Sequence, residues 1–187
     1  MRAVDLSMPI WEGAGYGEVL PFTNTPVRLI EYMVYERHGM RRTLLKLDGE
    51  SGSPFMVPPQ WAPHNFVPLG GDPRYKWTLS DIPLDRLLFR PTAILDIPCE
   101  EEHEITPEEV ERALKETDYR PGDELLLRTG WGTLDRAYRM GIEYCTRSPS
   151  VRHDAAAVLA EAMDRMQSPL FMTDAALINP PSLAFRH

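Results

Sequence analysis

Between residues 91 and 175 the chain keeps switching its apolar period. "PTAILDIP" (Pro91 to Pro98) is a short apolar run, and "ITPEEVERALKE" has helical spacing. "GDELLLRTGW" is a second apolar run, "RHDAAAVLAEAMDRM" a second helical pattern and "PLFMTDAAL" a third run. A strand repeats its faces every two residues and an α-helix every 3.6. The order strand, helix, strand, helix, strand therefore confines this half to a mixed α/β fold. Strands this short and apolar are expected in the middle of a sheet.

The first helix carries its own start signal. Thr106 suits the N-cap, Pro107 fits the first turn, and Glu108 and Glu109 suit the positive end of the dipole. Val110, Ala113 and Leu114 form its inner stripe. In the second helix Ala155, Val158, Leu159, Ala162, Met163 and Met166 share one face. A buried strand is expected over Glu124 to Thr129, with a tight exit at Gly130.

The first half reads differently. "AVDLSMPI" (Ala3 to Ile10) predicts an opening strand. "VRLIEYMVYER" and "RRTLLKLDGE" alternate apolar and polar residues around His38-Gly39, a hairpin pattern. No repeat or linker interrupts the chain, so one domain over 1–187 is expected: α/β, a mixed sheet with N-terminal hairpin strands and two main helices.

Composition then excludes some partners. The net charge is −8, so nucleic acid and anionic membranes, which need basic patches, are not expected. No apolar stretch is long enough to span a bilayer, and the N-terminus lacks a signal peptide's apolar core. Cys99 and Cys145 lie far apart, outside metal-type spacing, and read as reduced thiols of a cytoplasmic protein.

"GESGSPFMVPPQW" (Gly49 to Trp61) is too rich in proline and glycine for helix or interior strand. Yet it holds Phe55, Met56 and Trp61, which suggests a pocket wall. Several other side chains have chemical potential. His64 lies just beyond this loop and is a candidate acid or base. Asp48 and Glu50 are two apart on a strand end and share a face. Arg128, with Thr129 and Trp131, is a candidate wall for an anionic or aromatic ligand; the alternative is an arginine paired with a carboxylate at the core edge. "EEEHE" (Glu100 to Glu104) has the look of a metal cluster but reads better as a solvated acidic run. Ser51 and Ser53 lack the elbow and activating partners of a nucleophile.

"DLSMPI", "ILDIP" before "ITPEEVE", "GDELLLRTGW", and "DAAAVLAEAM" followed by "PLFMTDAALINPPS" together resemble the metal-dependent cyclase family. That family includes bacterial kynurenine formamidase and isatin hydrolase. The resemblance implies a swivelling β/β/α architecture and hydrolysis or cyclisation of an aryl or cyclic amide, arylformamidase-like. It also implies assembly into an oligomer, here a homo-oligomer.

The family's signature loop reads His-x-Gly-Thr-His-x-Asp-x-Pro-x-His. Its first two histidines and its aspartate bind zinc or manganese, and its last histidine assists the chemistry. Aligned without a gap, Glu50 stands at the first histidine, Pro54 at the second, Met56 at the aspartate and Gln60 at the last histidine. Gly52, Ser53 and Pro58 keep the frame, and Trp61 stands where an aromatic is common. The resemblance places further ligands, a histidine and an acidic residue, in the C-terminal third. His187 stands about where that histidine is expected; no acidic partner follows, and the chain is expected to lack the family's final strands.

Three functions follow as expectations, in this order. The first is a pseudoenzyme that binds a small molecule or a related subunit, with no cofactor, through Ser53, Met56, Trp61, Arg128 and Trp131. The second is a metal-free enzyme using Glu50, Gln60 and His64. The third is a zinc- or manganese-dependent hydrolase whose site is rebuilt with Glu50 and His187.

Overall fold

The computed structural model describes residues 27–46, 82–83, 89–140, 143–176 and 178, with only the backbone at 134 and 138. The opening strand, the Gly49–Trp61 loop and the segment around His64 lie outside the described residues. By packing, the chain divides into two compact units, Met1–Phe89 and Arg90–His187.

In the first unit, β1 (Arg28–Met33) pairs antiparallel with β2 (Arg42–Lys46). The hairpin is present, but its first strand stops at Met33, short of the expected Arg37. Tyr35–His38 forms one helical turn instead, α1. The His38 ring explains this: its Nδ1 accepts from the Val34 backbone N–H at 3.1 Å, closing the turn from within. Gly39 then ends it at φ 65°, a left-handed conformation that suits glycine. Arg41 reaches across to Glu31 at 3.6 Å. Leu29, Ile30, Tyr32, Leu44 and Leu45 are all exposed.

The second unit is built around a parallel sheet of three strands in the order β3 (Thr92–Asp96), β5 (Glu124–Arg128), β7 (Phe171–Thr173). Among the described residues β5 is the central strand, and Leu125 and Leu127 are fully buried. Among the described residues β3 pairs with β5 alone. It lies at the edge of the described sheet, and its burial alternates. Ala93 and Leu95 face the core while Ile94 is 45% exposed, as a strand covered on one side requires. A second parallel pair, β4 (Glu104–Ile105) with β6 (Ser150–Val151), was not expected from sequence.

α2 (Pro107–Glu116) has the expected start. The Thr106 hydroxyl accepts from the Glu109 N–H, and the Glu109 carboxylate accepts from the Thr106 N–H, a complete capping box. α5 (His153–Met166) buries Ala155, Leu159 and Ala162. Val110 and Ala113 of α2 and these three join Leu95, Leu125 and Leu127 in one core; Leu114, Val158, Met163 and Met166 pack at its margin. Both helical stripes therefore cover the same face of the sheet. Two shorter helices, α3 (Leu134–Met140) and α4 (Glu143–Thr146), connect β5 to β6.

Candidate functional site

Parallel strands bring their carboxyl ends to one side of a sheet, and ligands of open parallel sheets bind beyond those ends. Asp96 is the last residue of β3, Arg128 is its registered neighbour at the end of β5, and Asp174 follows β7. Three elements distant in sequence thus deliver two carboxylates and a guanidinium to one place.

Arg128 donates from Nε to Asp96 Oδ1 at 2.8 Å and from Nη2 to Asp96 Oδ2 at 2.7 Å. The pair is bidentate, with side chains 54% and 47% exposed. The hydrogen bonds from Arg128 hold the Asp96 carboxyl below the usual carboxylate range, and the same bonds raise the guanidinium. Both groups are ionised at neutral pH.

Asp174 is committed inward. Its Oδ1 accepts from the Thr129 backbone N–H at 2.7 Å and from the Thr129 hydroxyl at 2.6 Å, and its Oδ2 accepts from the Gly130 N–H at 2.9 Å. It therefore ties β7 to the exit of β5. Gly130, at φ 76°, makes the tight exit foreseen from sequence. Gly132 is required for closeness: a Cβ there would stand 2.4 Å from the Asp174 carbonyl oxygen.

Trp131 is buried, at 3% exposure. Its indole N–H donates to the Tyr144 carbonyl at 3.0 Å, and its ring stacks on Tyr144 with centroids 5.9 Å apart. Arg136 lies over the Trp131 ring at 4.6 Å and donates to the Gly130 and Trp131 carbonyls. Thr129 is also buried. Of the three residues that sequence grouped here, only Arg128 presents its functional group to solvent.

Cys99 adjoins the site through its backbone, which donates to the Thr129 carbonyl. Burial, then the charges of Glu109 and Asp174, push its thiol up to about 11. At neutral pH it is a thiol, not a nucleophilic thiolate. Cys145 is buried, which pushes it up to about 11 as well.

The acidic run 100–104 is cross-linked as well as solvated. Arg147 pairs with Glu101, Glu102 and Glu143, and His103 Nε2 lies 3.0 Å from Glu109. Among the described residues no group of three histidines, cysteines or acids is arranged to hold a metal. A shallow groove of about 480 Å³ runs along β3 and the end of α2, lined in part by Ile94, Asp96, Glu116 and Asp118.

Glu50, Ser53, Met56, Gln60, Trp61, His64 and His187 lie outside the described residues. Sequence reasoning missed Asp96 and Asp174. The signal was there: "ILD" and "MTD" each end an apolar strand run with an aspartate.

A mixed α/β unit with its polar groups at the carboxyl ends of parallel strands fits many families. The chain matches the Cyclase family model, described as "Putative cyclase", over residues 4–174, and so belongs to that family. No curated protein is a significant match to it. No helix among the described residues is long and apolar enough to cross a membrane.

Proposed function

We propose that this cyclase-family protein binds a small organic molecule in the family's pocket without a catalytic metal ion. The reading rests on the donor set of one loop. A zinc or manganese ion needs lone pairs from imidazole, carboxylate or thiolate. At the positions that correspond to the family's ligands stand Glu50, Pro54 and Met56. Proline has no side-chain donor, and a thioether is a poor match for these ions. One carboxylate does not hold a catalytic metal, so the set does not fit a divalent ion. Gln60, at the position of the assisting histidine, hydrogen-bonds but carries no proton at neutral pH. Ser53, Met56 and Trp61 remain as polar and apolar walls for a small ligand.

A second reading keeps turnover. Glu50 and His64 supply a carboxylate and an imidazole, the residue types of acid/base chemistry, with Gln60 as a polar partner. The reaction class is then metal-free hydrolysis or cyclisation of an aryl or cyclic amide. Loss of that turnover in both Glu50→Ala and His64→Ala, with the fold intact, supports it; unchanged turnover removes it. The protein is further proposed to be a cytoplasmic homo-oligomer, because the edges of the β1–β2 ribbon call for a partner.

The deciding test of the main reading is metal content. The protein is incubated separately with zinc and manganese, desalted, and measured by elemental analysis. Retention well below one ion per chain is expected. Near-stoichiometric retention overturns the reading and returns the protein to the metal-dependent hydrolases.

A further inference from the structure

We infer that Arg128 is an anchor for a carboxylate ligand, with Asp96 and Asp174 as its positioning residues. The inference rests on the small-molecule reading above and names the ligand class. A guanidinium carries five N–H donors in a rigid plane. Arg128 spends its Nε edge on Asp96, one donor from Nε and one from Nη2. The opposite edge, formed by Nη1 and the second N–H of Nη2, has no hydrogen-bond partner among the described residues. That edge is a second fork of the same geometry, matched to the two oxygens of a carboxylate.

Three features preorganise it. The Asp96 bonds fix the plane of the guanidinium, so little rotamer freedom remains to be lost on binding. Asp174 fixes the backbone immediately after Arg128 through the Thr129 and Gly130 N–H groups. The side chain is half exposed at the carboxyl end of the central described strand, where ligands of such sheets are found. Charge then selects among anions. Asp96 already neutralises Arg128, so a dianion meets more repulsion than a monoanion. A monocarboxylate is preferred to a phosphate.

The test uses the full chain, with benzoate and inorganic phosphate as probes. Binding is followed by ¹H–¹⁵N NMR at the Arg128 side-chain Nε–H and the Thr129 and Gly130 amides. Benzoate is expected to bind with a Kd on the order of 1 mM, and phosphate more weakly. Arg128→Lys, which keeps the charge and loses the fork, is expected to weaken benzoate about tenfold; Arg128→Met is expected to abolish the response. Circular dichroism confirms that each variant folds. Asp174→Asn is expected to weaken benzoate in the wild-type background and to have no further effect on it in Arg128→Lys. A merely structural role of Asp174 predicts the same loss in both backgrounds, which overturns its assignment as a positioning residue. Benzoate binding that survives Arg128→Met, or no benzoate binding at 50-fold the expected Kd, overturns the anchor. Metal retention, measured separately, overturns only the metal-free reading.

Discussion

Two strands of this protein carry nearly the same apolar core in sequence and meet opposite fates. β2 reads RTLLK and β5 reads ELLLR. In β2 every residue is exposed, including Leu44 at 54% and Leu45 at 50%. In β5, Leu125 and Leu127 are at 0%. The difference lies in the neighbours. β5 is flanked by β3 and β7 and covered by the stripes of α2 and α5, whereas among the described residues β2 pairs with β1 alone. Leucine content sets how much a strand gains if it is covered; the surrounding elements decide whether it is.

The sharpest way to break this contrast is a pair of leucine truncations. Leu127→Ala is expected to cost about 3 kcal/mol in urea unfolding, and Leu44→Ala within about 0.5 kcal/mol. Equal losses would mean that the ribbon is buried in the working protein, as an oligomer interface would require.

Gly132→Ala comes next. Its new methyl group meets backbone at Asp174, which cannot swing away, and about 2 kcal/mol of destabilisation is expected. A neutral result by thermal melting shows that β7 is free to move away from the β5 exit.

Glu109 and Glu124 sharpen the contrast within the second unit, because their pKa shifts have opposite sign. Burial works against the Glu109 carboxylate, but the Thr106 N–H and His103 bonds outweigh it and hold its pKa below the usual range. That stability is present above the unfolded pKa and is lost as pH falls through the folded one. Glu109→Gln should therefore cost about 1 kcal/mol at pH 7, and the cost should shrink toward pH 3. Melting curves at both pH values decide this; a cost independent of pH removes the charge from the explanation.

Glu124 is 5% exposed, and its Oε1 has no hydrogen-bond partner among the described residues. Burial raises its pKa, only partly opposed by Arg90 and by Thr92. Stability from a raised carboxyl is present at low pH and lost as pH rises through the folded value. Glu124→Gln is expected to have the smallest effect, a slight gain in melting temperature at pH 7 that disappears by pH 4. A loss at pH 7 would show that the charged form is paired.

Much of the second unit was legible because its signals are local. Thr106, Pro107 and Glu109 define a helix start within four residues, and the stripes of α2 and α5 repeat within two turns. The end of β1 was misread because the bond from Val34 to the His38 ring is a specific contact that apolar alternation does not encode. β4 and β6 were missed because each is two residues long and exists only through the other, 46 positions away. In the site, arginine before a Thr-Gly-Trp turn drew attention to Arg128 and Trp131. Sequence could not tell that one side chain faces outward and the other packs on Tyr144.

The sequence by itself determined the α/β class, the hairpin, both main helices and the apolar strand that became β5. It also determined the side-chain chemistry of Glu50, Pro54, Met56 and Gln60, on which the proposed function rests. These follow from periodicity, capping and side-chain chemistry, which act between near neighbours or within single residues. Only the tertiary structure decided that β5 lies between β3 and β7, that Asp96 takes one edge of Arg128, and that Asp174 is spent on Thr129 and Gly130. Those contacts join residues 32, 44 and 45 positions apart. They depend on which strand ends arrive together, and that is set by packing the whole unit rather than by any segment of it.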